Sequence, residues 1–323
     1  MKKYIINTND SGQRADKFIL KVAKCLPKSL LYKFLRLKKI KLNRKRCQGN
    51  EILSEGDILE LYINDEFFGE EEKEKKDAEF LRSKGKLNAI YEDENLAIIF
   101  KEPGVICHSG NEKGADTLVD MLKKYLYDKG EFNPKSESSF SPSLCNRLDR
   151  NTSGLVIGAK SSMALREINR KIAEDKIKKA YRLVVYGKME KEADIITLFI
   201  KKPENSQSVL VSKSQKDGYK EAITKYKLIS YDEETDTSYL EVQLITGRTH
   251  QIRASFDFIG HCLVGERRYI SSKPKSIRLK NEPRYQMLCA FRLEFLKDEK
   301  AGGLSYLEGK SFTLPKNLIG FGE

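Results

Sequence analysis

Arg147-Leu148-Asp149-Arg150-Asn151-Thr152-Ser153-Gly154-Leu155, running on into Val156-Ile157, sets one carboxylate between two arginines in a segment that turns and then enters a strand. Asn146 and Asn151 flank the charges, Gly154 permits a tight backbone, and Leu155-Val156-Ile157 is an apolar β-run. The segment reads as an active-site loop feeding a strand. An aspartate between two guanidinium groups is expected to stay ionised at neutral pH, the state that a nucleophile or a cation-stabilising carboxylate requires. The residue types alone fit equally a surface ion-pair cluster at a strand edge. The surroundings have to separate the two.

The chain has 323 residues, enough for two domains, the larger with a sizeable core. Its 60 Lys and Arg outnumber 47 Asp and Glu for a net charge of +13, which implies a polyanionic partner, nucleic acid first. Residues 1 to 64 hold 15 Lys/Arg against 6 Asp/Glu, a net of +9, so most of the excess lies in the first fifth of the chain. Six cysteines are scattered without a C-x-x-C pair, and His108, His250 and His261 are too dispersed for a metal site. Reduced thiols and structural histidines are expected. No basic segment leads into an apolar one at the start, and no run approaches the roughly 18 apolar residues of a membrane span. A soluble, cytoplasmic monomer with no membrane partner follows as the expectation.

In the first unit, Ala15, Phe18, Ile19, Val22 and Ala23 fall at helical spacing, and Pro27 ends the run. Ser29 is expected to cap a second helix with an apolar face of Leu30, Leu31, Phe34 and Leu35. A short strand Ile40-Lys41-Leu42, a turn at Asn43-Arg44, and a closing strand from Asp57 to Tyr62 after Gly56 complete it. Nine cations and no acid lie between Lys28 and Arg46. A solvated face normally mixes signs, so Lys28, Arg36, Lys38, Lys39, Lys41 and Arg44 are candidates for phosphate contact.

The arrangement resembles the S4 RNA-binding domain in Gln13-Arg14-Ala15-Asp16-Lys17-Phe18, Lys28-Ser29, Lys39-Ile40-Lys41-Leu42-Asn43 and Gly56-Asp57. That resemblance implies a basic face docking on structured RNA through shape and phosphates. From Asp65 to Glu79 the composition flips to eight acids and three lysines, which reads as a linker, taken as 65–88. Residues 89–323 then alternate strand and helix. Leu96 to Phe100 and Leu183 to Tyr186 suit buried strands, Leu240, Val242 and Leu244 a half-buried one, and helices fit Leu118 to Leu126 and Ala164 to Ile172. The expected class is α+β, a catalytic domain on a mainly antiparallel or mixed sheet with flanking helices, preceded by the small S4-like α/β unit.

Five separated blocks of the second unit are similar to the RluA-type family of RNA pseudouridine synthases, in that family's order. They are Tyr91-Glu92-Asp93-Glu94 with Lys101-Glu102-Pro103-Gly104-Val105, Arg147-Leu148-Asp149 with Thr152 to Leu155, Lys179-Ala180-Tyr181, Thr246 to Arg253, and Gly260-His261 with Gly265 and Tyr269. The resemblance implies isomerisation of uridine in RNA, with Asp149 as the catalytic aspartate, Tyr181 the active-site tyrosine and Arg253 its basic partner. A carboxylate suits a reaction that breaks C1′–N1 and rejoins the base through C5, by attack on C1′ or by facing its positive charge. Tyr181 offers an aromatic face and a phenolic oxygen. Arg147 and Arg248 are RNA-contact candidates, Arg147 able to fill the gap left by an extruded base. The family needs no metal or other cofactor.

The chain departs from the family pattern at Asn146, Cys262, Glu266 and Cys289, where His, Pro, Asp and His are usual. The Pro27 to Arg36 pattern resembles members acting on large-subunit rRNA, the leading substrate, with tRNA open. A catalytically dead RNA-binding relative and an Asp-dependent hydrolase are the rival classes. The first conflicts with retention of Asp149, Tyr181 and Arg253, and the second lacks a second motif carboxylate.

Overall fold

The computed structural model describes residues 1–69, 79–109, 114–274, 282–300 and 302–321. The first unit pairs β1 (Lys2–Ile5), β4 (Ile58–Leu61), β2 (Ile40–Leu42) and β3 (Lys45–Arg46) in that order, all antiparallel, beneath α1 (Ala15–Val22) and α2 (Lys28–Arg36). The periodic residues do what their spacing requires. Phe18, Ile19, Leu31 and Leu35 are buried against Ile40, Leu59 and Leu61. Asn43 and Arg44 turn the β2–β3 hairpin with φ +50° and +66°, as a tight two-residue connection demands. Ser29 does not cap α2. The helix begins two residues earlier than such a cap would set it, at Lys28, with Pro27 in extended backbone (φ −62°) at its N-cap.

The unit extends past residue 64, since Phe67 packs edge-on against Phe34 and Phe68 belongs to the first core. Phe80 and Leu87 belong to the second. The expected linker is therefore anchored at both ends, and residues 70–78 of it lie outside the described residues. The two units meet through polar groups. Asn9 Nδ2 donates to Glu137 (2.9 Å), Asp10 accepts from the Ser139 backbone and hydroxyl (3.1 and 2.6 Å), and Arg166 donates to the Ser11 carbonyl (3.1 Å).

The second unit is built on an 11-stranded sheet. Its path runs β11 (Leu210–Ser212), β10 (Ala193–Lys201), β12 (Lys220–Asp232), β13 (Thr237–Leu244), β9 (Ile177–Tyr186), β14 (Leu288–Phe295), β8 (Ser153–Ala159), β6 (Leu96–Lys101) and β5 (Asn88–Glu92). Two short strands join at the side, β15 (Ser311–Thr313) on β14 and β7 (Ser143–Leu144) on β8. Pairing is antiparallel except between β14 and β8, where Cys289 faces Ser153 and Ala290 faces Gly154. Gly154, at φ +127°, is required there: a Cβ would stand 2.4 Å from the Ala290 carbonyl oxygen.

Both faces of the sheet's middle are covered, which is why β6 and β8 read as unbroken apolar runs. One face packs Ile99, Val156, Leu183 and Val242 with α3 (Leu118–Asp128) and α5 (Gln251–Phe258). The other packs Ile98, Leu155, Ile157 and Leu293 with α4 (Ser162–Ala173). A short α6 (Lys316–Ile319) follows β15. Thr117 and Ser161 cap α3 and α4 through their hydroxyls. No helix among the described residues is long and apolar enough to cross a membrane.

Candidate active site

The loop that enters β8 is fastened from behind. Asn146 Oδ1 accepts the Ile157 amide (2.8 Å), and Gln286 Nε2 donates to Thr152 Oγ1 (3.1 Å). The fully buried Lys101, from the Lys-Glu-Pro-Gly-Val block, gives its ammonium to three carbonyls: Glu102 (3.0 Å), Val105 (2.7 Å) and Arg150 (2.9 Å). Burial pulls Lys101 down to about 8, with the Asp149 charge among the opposing effects. Its role is legible in the geometry: it ties the end of β6 to the far side of the Asp149 turn.

Asp149 does not take its guanidinium contact from the flanking arginines. Arg150 turns its Nε to the Gly104 carbonyl (3.3 Å), and Arg147 is exposed at the mouth of the cleft. The partner is Arg253, one turn into α5, whose Nη1 donates to Asp149 Oδ2 at 2.8 Å. Arg253 is buried and its other two arms grip Glu266, Nε on Oε2 at 2.6 Å and Nη2 on Oε1 at 2.8 Å. Burial would raise the Glu266 carboxyl, but the hydrogen bonds and charge of Arg253 outweigh it and hold the group below its ordinary range. All three arms of a planar fork are used, a geometry only arginine provides.

The turn before α5 is set by Gln251, whose Oε1 accepts from Thr246 Oγ1 (3.0 Å) and the Arg248 amide (2.9 Å) while Nε2 donates to Thr224 Oγ1 (3.0 Å). Arg248 spends its Nε on the Glu221 carbonyl (2.8 Å). His250, expected to be merely structural, instead lines the cleft with its backbone in the left-handed region at φ +53°. Its Nε2 stands 3.8 Å from Asp149 Oδ2 and its Nδ1 2.7 Å from Tyr269 Oη. Nothing about a solitary histidine in the sequence marks it out. Its place beside Arg253 on one helical turn is the signal that was available.

Tyr181, on β9 opposite Val242 and Ala290, completes the wall. Burial, then the charge of Asp149, pushes its phenol above the ordinary tyrosine value, so it enters the site protonated. That disfavours a phenolate base and suits an aromatic face carrying a neutral hydroxyl. Asp149, Tyr181, His250 and Arg253 thus surround a cleft of about 300 Å³, which opens beside Arg147 and Arg268 into a second space of about 540 Å³. Asn146, Cys262, Glu266 and Cys289, the departures from the family pattern, do not line either space. Among the described residues no group of three His, Cys, Asp or Glu could hold a metal ion.

The fold is shared with solved pseudouridine synthase structures. Human RNA pseudouridylate synthase domain containing 1 superposes with a TM-score of 0.54 at 20% identity, covering 72% of this chain and 84% of that one. Residues 95–257 match the RNA pseudouridylate synthase family, and the chain belongs to that family: it is an RNA pseudouridine synthase, an isomerase that acts on uridine in RNA. A protein of Mycoplasma genitalium named as an uncharacterized RNA pseudouridine synthase is 31% identical over 301 residues, 92% of this chain and 90% of the relative. A ribosomal large subunit pseudouridine synthase C of Vibrio vulnificus is 29% identical over 274 residues, 82% of this chain and 78% of the relative.

Proposed function

We propose that the enzyme isomerises uridine in structured large-subunit rRNA, with Asp149 acting at ribose C1′, Tyr181 against the uracil ring and Arg253 orienting the carboxylate. The observation that carries the chemical part is the three-armed Arg253. Anchored twice on Glu266, it occupies Oδ2 of Asp149 and leaves Oδ1 without a protein partner among the described residues, turned over to a ligand. A carboxylate so held can attack C1′ or face its positive charge, and Tyr181 is near enough to feel its field. Arg147, exposed at the mouth, suits a phosphate or the space of an extruded base.

The rRNA part is supported by the named activity of the Vibrio relative and by the basic first unit. Mapping pseudouridines in ribosomal and transfer RNA from cells with and without the enzyme tests it. Specific large-subunit positions are expected to revert to uridine when it is absent. Loss confined to tRNA would reassign the substrate while leaving the chemistry standing.

The same reading makes the first unit, with the charged linker separating it from the catalytic unit, an S4-like RNA anchor. Its nine cations from Lys28 to Arg46 are solvent-facing apart from the half-buried Lys41, and none has an acidic partner among the described residues. Reversing Lys38, Lys39 and Lys41 to Glu in the full chain is expected to flatten the slope of log affinity against log salt by about one unit for each RNA phosphate left unneutralised. The single-turnover rate at saturating RNA is expected to stay unchanged. An unaltered slope would return these lysines to a solvated face.

A further inference from the structure

We propose that His250 is a catalytic residue: its Nε2–H donates a hydrogen bond to the uracil ring as the C1′–N1 bond breaks and stabilises the negative charge arriving there. The inference rests on the reading of Asp149 as the carboxylate that meets C1′.

Hydrogen-bond accounting fixes where the imidazole proton sits. Tyr269 Oη accepts the Val209 amide at 2.9 Å and lies 2.7 Å from His250 Nδ1. Tyr269 is buried, and no other acceptor for its single proton stands within reach among the described residues. The hydroxyl therefore donates to Nδ1, which must be bare, and the histidine proton is on Nε2. Burial, partly offset by the Asp149 charge, pulls His250 down to about 4, so the ring is neutral at working pH.

That N–H has no protein acceptor among the described residues. Asp149 Oδ2, 3.8 Å away, is beyond hydrogen-bond range and already receives Arg253. The donor lies on the wall shared by both spaces of the cleft. Its backbone sits in the left-handed region, uncommon for a non-glycine residue, in a turn that the Gln251 bonds to Thr246 and the Arg248 amide fasten. A preorganised neutral donor that meets no protein group, beside the carboxylate that faces C1′, is built for charge that develops only during reaction.

The electron count supports this placement. When C1′–N1 cleaves, the bonding pair leaves with the base, and the uracil anion carries its charge on N1, O2 and O4 while C1′ is left electron-poor toward Asp149. The account is the same whether Asp149 bonds C1′ or only faces its charge. His250 keeps its proton, because a neutral imidazole is far too weak an acid to give it up. When C5 then bonds C1′, the hydrogen lost from C5 is matched by one gained at N1, and the reaction is an isomerisation.

The test uses the full-length enzyme and total RNA from cells lacking it, read as single-turnover rate, RNA affinity and melting temperature. His250→Ala is expected to slow the step by about a hundredfold with RNA affinity within threefold. His250→Gln, whose amide donates from a similar position, should recover at least tenfold of that. His250→Asn tolerates the left-handed backbone yet is too short to reach the ring, so it should be as slow as alanine while melting like the wild type. A His250→Ala or His250→Asn rate within threefold of wild type overturns the proposal, as does His250→Gln no faster than His250→Ala. Asp149→Asn assayed alongside separates the failures. If it turns over fully, the reading of Asp149 falls and this inference with it; if it is inactive while His250→Ala is fast, only the role of His250 is lost.

Discussion

Asp149→Asn should reduce isomerisation by at least about a thousandfold while RNA affinity stays within a few-fold of wild type. The amide is nearly the same shape and can still accept from Arg253 Nη1, so the loop fastened by Lys101, Asn146 and Gln286 should keep its form. What disappears is the negative charge that the electron-poor ribose requires. Single-turnover formation of pseudouridine, measured beside a binding titration on the same RNA, separates the two quantities. Full activity would sink the assignment of Asp149, and a parallel collapse of affinity would move its role from chemistry to binding.

The second large effect is expected at Arg253→Lys, with turnover down by about a hundredfold and RNA binding retained. A lysine ammonium can reach Glu266 or Asp149 but cannot fork across both. Because Glu266 has almost no exposed side chain, partial loss of its partner should also destabilise the fold by about 3 kcal/mol, the low end of the range for breaking a buried ion pair. The pH dependence follows from the direction of the Glu266 shift. Its folded-state value is lowered, so its contribution is complete above the unfolded carboxylate range, about 4.3, and is lost as the pH falls through the folded value. The stability gap between wild type and Arg253→Lys should therefore be widest near neutrality and close in acid. Wild-type turnover in Arg253→Lys would refute the pairing.

The sequence made the strands and helices legible wherever burial was one-sided or complete. Leu96 to Phe100 announces β6, and the spacing from Leu118 and from Ala164 announces α3 and α4 to within a turn. It showed only the last four residues of β9, because Lys178, Lys179 and Arg182 interrupt the apolar signal of a strand that begins at Ile177. The order of strands in the sheet is a matter of long-range pairing and leaves no local trace. At the site, Asp149, Tyr181 and Arg253 were legible through their motifs. The flanking Arg147 and Arg150 do not supply the guanidinium that touches Asp149; it arrives from 104 residues away, from the Arg253 that the motif marks as the basic partner. Glu266 stands out in the sequence only as a substitution for Asp, since a carboxylate that works from behind another side chain has no signature of its own.

The joint between the two units has a mechanical consequence. Asn9, Asp10, Ser11 and Gln13 meet Glu137, Ser139 and Arg166 through hydrogen bonds, and the apolar clusters on either side are separate. Prising such a joint open exposes little oil to water and trades each bond for a solvent bond at a net cost of about 1 kcal/mol. The catalytic cleft, by contrast, is braced by packed strands and a buried ion pair. Under the proposed reading of the first unit as an RNA anchor, the reach from anchor to cleft is then adjustable, and the uridine is selected at the cleft rather than by a fixed distance along the nucleic acid.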